Sequence, residues 1–157
     1  MNQDSASALP VIFTANTITN NYGASVIMYS KNRNPGSYFQ VTNCEFIGNT
    51  NGTSEVLSII LTDQSTTSEA VGIYCLNKFL GNNGSSIVTV TYNNAKSYVT
   101  ISNNSFSDNI FSDSLIKVNG PVPTAGMKIQ YNHFIQSIGY IINVLSPYQP
   151  GKAVRYH

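Results

Sequence analysis

Strand-length runs of apolar residues, many of them β-branched, recur along this chain with short polar breaks between them. No stretch sustains the i, i+3, i+4, i+7 apolar stripe of a helix for a dozen residues. The frequent Asn, Gly, Ser and Thr are also poor residues for a helix interior. Apolar residues alternate with others at Val11-x-Phe13, Phe39-x-Val41, Val99-x-Ile101 and Met127-x-Ile129, which predicts a short strand with one face turned inward. After a turn comes one large apolar residue: Ile18, Phe46, Phe79, Phe106 or Phe134. About ten residues further on lies another apolar run, at 26–28, 56–59, 87–90, 115–118 and 141–144. Each unit therefore holds at least two short strands separated by Asn, Gly and Ser corners.

These units form a repeat. Phe46-Ile-Gly-Asn49, Phe79-Leu-Gly-Asn82 and Phe106-Ser-Asp-Asn109 share a Phe-x-x-Asn core, with Ile18-Thr-Asn-Asn21 before them and Phe134-Ile-Gln-Ser137 after them. Taking Ile18, Phe46, Phe79, Phe106 and Phe134 as equivalent anchors, the separations are 28, 33, 27 and 28 residues. The second unit's extra residues are expected in the Ser/Thr-rich stretch 63–69, read as a loop at one corner. An alternative register would start the series at Phe13-Thr-Ala-Asn16. Ile18 is preferred because it puts Asn16 two places before its anchor, as Asn77, Asn104 and Asn132 are before theirs.

A unit of this size can bury its apolar face only against neighbours of the same kind. The expected fold is all-β: a right-handed parallel β-helix solenoid of about five coils with a period of about 28 residues. An antiparallel sandwich would also supply short strands, but it does not require anchors at a near-constant spacing. The solenoid is assigned to 11–145, after an N-terminal segment 1–10 and before a C-terminal tail 146–157 rich in Pro and Gly. Asn16, Asn77, Asn104 and Asn132 before the anchors, and Asn21, Asn49, Asn82 and Asn109 after them, are read as structural. At stacked corners asparagine tolerates left-handed dihedrals, and its amide hydrogen-bonds up the column.

Charge narrows the function. Only 10% of residues are charged and the formal net charge is +1, so no basic patch for nucleic acid is expected. No apolar run is long enough for a membrane span, and no intact signal peptide is recognised. Low charge, abundant Asn, Ser and Thr, and sequons at Asn51, Asn83 and Asn103 suit an extracellular or cell-surface glycoprotein. The cysteines Cys44 and Cys75 leave open one disulfide or two separate thiols. With only His133 and His157 beside them they are too few for a zinc site, so neither metal nor cofactor is expected.

The Phe-x-x-Asn motifs at 46–49, 79–82 and 106–109 resemble those of the β-helical passenger domains of polymorphic outer-membrane autotransporters. More broadly, the coil pattern over 11–144 resembles the pectin-lyase-like superfamily of right-handed β-helices. That resemblance implies one of several roles: polysaccharide lyase or hydrolase, adhesin, tailspike or structural filament. The lyases hold calcium in clustered acids beside a basic residue, and the hydrolases gather aspartates with His and Arg or Lys. Here Asp63, Asp108 and Asp113 occupy different offsets from their anchors, Arg33 and Arg155 lie in a turn and the tail, and His133 has no evident carboxylate partner. No catalytic residue is assigned, and the chain is not expected to be an enzyme. The 10 tyrosines could stack on carbohydrate, but the simpler reading makes them strand residues. The expectation is a structural or adhesive module that stacks end to end on copies of itself or on adjoining β-helix domains. The alternatives are a carbohydrate-binding or carbohydrate-active β-helix, and a host-interaction passenger or viral fibre domain.

Overall fold

The structure is a computed structural model that describes residues 2–3, 11–23, 26–30, 38–50, 52–61, 71–92, 98–120 and 127–145. Every described element is a strand, and every strand pairing is parallel. Three sheets run the length of the molecule. The first takes β2 (Val11–Thr14), β5 (Tyr38–Thr42), β8 (Val71–Cys75), β11 (Tyr98–Ser102) and β14 (Met127–Gln130), stacked in sequence order. The second takes the three-residue strands β3 (Thr17–Thr19), β6 (Glu45–Ile47), β9 (Lys78–Leu80), β12 (Ser105–Ser107) and β15 (His133–Ile135). The third takes β1 (Asn2–Gln3), β4 (Val26–Ser30), β7 (Leu57–Leu61), β10 (Asn83–Tyr92), β13 (Ile110–Asn119) and β16 (Ile138–Leu145). The chain visits the three sheets in turn and then repeats, so the fold is a parallel β-solenoid.

The strand registers reproduce the predicted repeat. Ile18 pairs with Phe46, Phe46 with Phe79, Phe79 with Phe106 and Phe106 with Phe134. The four phenylalanines form a stack inside the solenoid, with ring centroids 4.8, 4.7 and 5.3 Å apart and nearly parallel planes. These are the strand spacing of a sheet carried into its side chains. The first-sheet alternation is in register too: Phe13 with Val41, Val41 with Tyr74, Tyr74 with Ile101 and Ile101 with Ile129. Its third member had no clear sequence signal because Gly72 stands where Phe39 and Val99 stand in the neighbouring coils. The third sheet adds two interior rows, Val26–Leu57–Val88–Ile116–Ile142 and Met28–Ile59–Val90–Val118–Val144.

Two expectations need correction. About five coils were expected, but the fully enclosed solenoid is about three turns, those of Phe46, Phe79 and Phe106. Ile18 and Phe134 are only partly buried, because each has a neighbouring coil on one side. The second unit's excess length was assigned to 63–69, which lies outside the described residues. Part of that excess sits elsewhere. Leu57, the register partner of Val26 and Val88, follows its anchor by three residues more than Val26 does, and a turn at Gly52 and Thr53 takes up the slack. The segment 1–10 contributes one short described strand, β1, whose Asn2 and Gln3 pair with Tyr29 and Ser30. The tail 146–157 is outside the described residues.

Candidate functional site

The most organised chemistry in the molecule is a pair of amide columns flanking the three-residue strands. In every coil the chain enters and leaves that strand through a residue with left-handed backbone, φ between +49° and +63°. The entry column is Ala15, Asn43, Leu76, Asn103 and Tyr131; the exit column is Asn20, Gly48, Gly81, Asp108 and Gln136. The conformation was expected on the repeated asparagines themselves, but it falls on the residue just before each of them. A left-handed residue reverses the side-chain direction locally, so the next side chain turns inward. That is why Asn49, Asn77, Asn82, Asn104 and Asn109 are buried while Leu76 and Tyr131 are exposed. The bends stay hydrogen-bonded between coils: Leu76 N–H donates to the Asn103 carbonyl at 2.9 Å, and Gly81 N–H to that of Ser107 at 3.0 Å.

Each column is a directional ladder. In the exit column the Asn82 amide oxygen accepts from the backbone N–H of Asn49 at 3.0 Å and from its Nδ2 at 2.9 Å. The Asn82 Nδ2 donates to the Phe46 carbonyl at 2.8 Å and to Asn109 Oδ1 at 3.0 Å. Asn21 donates to Asn49 in the same way, and the series finishes at Ser137, whose hydroxyl donates instead to the Ile135 carbonyl. In the entry column Asn77 donates to Asn104 Oδ1 and Asn104 to Asn132 Oδ1. Wherever two ladder amides meet, the oxygen of the later coil accepts from the nitrogen of the earlier one, while the second N–H of the buried amides donates back to a backbone carbonyl of the earlier coil.

The entry column has one break. Cys44 occupies the second coil's place, two residues before Phe46, where the other coils have asparagine. Its backbone N–H donates to Asn77 Oδ1 at 2.9 Å, as an asparagine there would. Its thiol lies 3.3 Å from the Thr42 carbonyl and 3.5 Å from that of Phe13, the second being the acceptor equivalent to those used by Asn77 (Val41) and Asn132 (Ile101). A thiol offers no strong acceptor to the coil before, and the Asn16 side chain donates only to its own neighbour's carbonyl, Thr14. Cys44 and Cys75 are both free, so the bridge left open from the sequence is not formed; Cys75 lies beside the Ser102 hydroxyl. The offset of the other asparagines could have located Cys44 as a ladder member, but its side chain gives no amide signal.

At both ends the ladders stop with groups unused among the described residues. The first coil's end carries the amide oxygens of Asn16 and Asn21; the last coil's end carries the backbone N–H of Asn132 and the one side-chain N–H that its bond to the Ile101 carbonyl leaves over. Most of the exposed large apolar residues also belong to these two coils: Ile12, Tyr22 and Ile27 on the first, and Tyr131, Ile135, Tyr140, Ile141 and Leu145 on the last. Sheet edges of this kind are templates for further strands.

The remaining candidates do not converge. Asp113 is held by Lys117 and by Asn143 Nδ2. Its hydrogen bond with Lys117 leads in drawing its carboxyl below the usual range, with the Lys117 charge and the Asn143 bond adding to it against partial burial. Asp108 stands exposed on the exit column and is not part of that cluster. His133 is exposed on β15, in register with Ser105. Asp63, Arg33, Arg155 and His157 lie outside the described residues. Among the described residues no three of His, Cys, Asp and Glu gather closely enough to hold a metal ion. Tyr92 is buried, and burial pushes its phenol up to about 12, whereas Tyr22, Tyr131 and Tyr140 are exposed on different sheets and corners. Of the sequons, Asn103 is exposed on the entry column, Asn83 is half-buried at the start of β10, and Asn51 is outside the described residues. Comparison with protein-family models, curated proteins and solved structures finds no match to this chain.

Proposed function

We propose that this chain is an extracellular structural or adhesive β-helix module that stacks end to end, on copies of itself or on adjoining β-helix domains of a longer parent chain. The observation that carries the reading is the directional pair of amide ladders, both acceptor-ended at the first coil and, in the entry column, donor-ended at the last. A further coil of the same kind would satisfy both ends, and burying their exposed apolar residues would add to the association. The solenoid is taken as right-handed, as crossover connections between parallel strands almost always are. On this reading the Phe-x-x-Asn coils are kin to the pectin-lyase-like β-helices and their autotransporter passengers. Of the two described sequons, Asn103 is the exposed one, and a cell-surface glycoprotein would carry sugar there.

Sedimentation velocity across a hundredfold range of concentration, with electron microscopy of the same samples, tests the proposal. Assembly that grows with concentration, seen as rods one solenoid wide, is the expected result. A monomer that does not change with concentration and shows no rods refutes stacking on copies of itself.

A further inference from the structure

We infer that stacking, as proposed above, joins a second copy head to tail, and that β1 obstructs the joint until it leaves its sheet. The inference rests on the end-to-end reading and adds its polarity and its control. Polarity follows from the ladders. Because every bond between ladder amides runs from a nitrogen of the earlier coil to an oxygen of the later one, two last coils face to face would set Asn132 donors against donors. Two first coils would set the oxygens of Asn16 and Asn21 against each other. Only the last coil of one copy against the first coil of the next pairs donor with acceptor. At that joint Asn132 would donate to Asn16 Oδ1, and the ring of Phe134 would rest on Ile18, as Phe46 does within the chain. The Asn16 Nδ2, now turned back to Thr14, would take the Ile129 carbonyl, the equivalent of Ile101 for Asn132.

The obstruction follows from counting strands along each sheet. The first and second sheets begin with β2 and β3 and end with β14 and β15, whereas the third begins one strand earlier, with β1 before β4, and ends with β16. If β14 and β15 of one copy dock on β2 and β3 of the next, then β16 of the first copy falls beside β4 of the second. That place is held by the second copy's β1, where Asn2 and Gln3 pair with Tyr29 and Ser30. Within the chain, the third-sheet strand one coil away from Tyr29 passes through Ile60, and the register continues through Thr91 and Asn119 to Leu145. Leu145 of the docking copy would therefore claim the site of Asn2. The contest is unequal, because β1 offers two residues and β16 eight. The strand acts as a weak plug that an incoming copy displaces.

The experiment compares the full chain, a variant lacking residues 1–10, and the full-length Gln3→Pro variant, which weakens β1 by removing a backbone donor, in sedimentation velocity over a common concentration series. Circular dichroism confirms that each remains folded. Deletion and Gln3→Pro are both expected to lower the concentration for half-assembly by tenfold or more. Adding Asn16→Ala to the deletion should reverse that gain, since it removes the acceptor at the joint. Equal assembly by all three chains would overturn the plug and leave stacking standing. Weaker assembly on deletion would show that β1 helps the joint and would equally overturn the plug. Absence of assembly in all three would overturn the stacking reading together with the inference. A deletion variant whose assembly ignores Asn16→Ala would overturn the assigned polarity.

Discussion

Replacing Asn82 with Ala tests whether the amide ladder or the apolar interior holds neighbouring coils together. Asn82 is fully buried, and its side chain takes part in four hydrogen bonds: two accepted from Asn49, one donated to Phe46 and one to Asn109. Truncation leaves the Asn49 backbone N–H without its acceptor and strips one partner each from Asn49 Nδ2 and the Phe46 carbonyl. Asn109 Oδ1 keeps the Asn82 backbone N–H at 3.0 Å and so is not orphaned. An unsatisfied buried group costs about 1–3 kcal/mol, and a water entering the space would relieve one of the three. The expected loss is about 3–5 kcal/mol, a large part of the stability of an ordinary domain. Asn16→Ala is the matched control: its side chain is exposed and bonded only to Thr14, so its loss should stay below about 0.5 kcal/mol. Asn82→Asp separates hydrogen bonding from packing. It keeps the shape but sets an oxygen against the Phe46 carbonyl and Asn109 Oδ1, and should cost at least as much as Ala. Equilibrium urea unfolding followed by far-ultraviolet circular dichroism, at dilutions where the chain is monomeric, measures all three. An Asn82→Ala loss within about 1 kcal/mol of the Asn16→Ala loss would show that the ladders decorate a fold held by its interior.

Cys44→Asn should repair the broken column by giving Asn16 an amide oxygen and Phe13 a stronger donor, raising stability by about 1–2 kcal/mol in the same urea assay; a loss would mean the pocket fits only sulfur. Leu76→Gly should stabilise by about 0.5–1 kcal/mol, because a left-handed conformation strains leucine and not glycine and the side chain buries little; a loss would show that the exposed leucine has a packing role. Tyr92 should make stability fall at high pH. Its folded pKa of about 12 lies above the unfolded value near 10, so its contribution is complete below pH 10 and is lost as the pH rises toward 12. Tyr92→Phe should flatten that alkaline decline; an unchanged profile would assign the decline to other groups.

Much of the solenoid was legible because its signals are periodic. Anchors, alternations and ladder asparagines each recur at one offset, and stacking forces equivalent residues into equivalent places. What escaped was information carried by backbone shape. Ala15, Leu76 and Tyr131 have nothing in common as side chains, yet they share one left-handed bend with Asn43 and Asn103; only the inward turn of the following residue betrays it. The two-residue β1 is too short for any pattern to register. Cys44 escaped for the opposite reason: it keeps the position of a ladder residue without the chemistry that makes one recognisable. The assembly edges were foreseen only as a general need of solenoids, and their polarity depends on which atom of each amide faces which coil.

The gap at Cys44 also bears on how the molecule would yield to force. A solenoid pulled along its axis sheds coils from an end, and each coil leaves when the bonds to its one remaining neighbour fail. Each terminal coil is joined to its neighbour by one amide rung among the described residues, Asn21–Asn49 at the first and Asn104–Asn132 at the last, whereas the third and fourth coils share two, through Asn77–Asn104 and Asn82–Asn109. What separates the two ends is the interior: the last coil is held by the ring of Phe134 on Phe106, and the first meets the phenylalanine stack only through Ile18. Tension should therefore open the molecule at its N-terminal coil, leaving the four-ring segment from Phe46 to Phe134 intact as the part that resists.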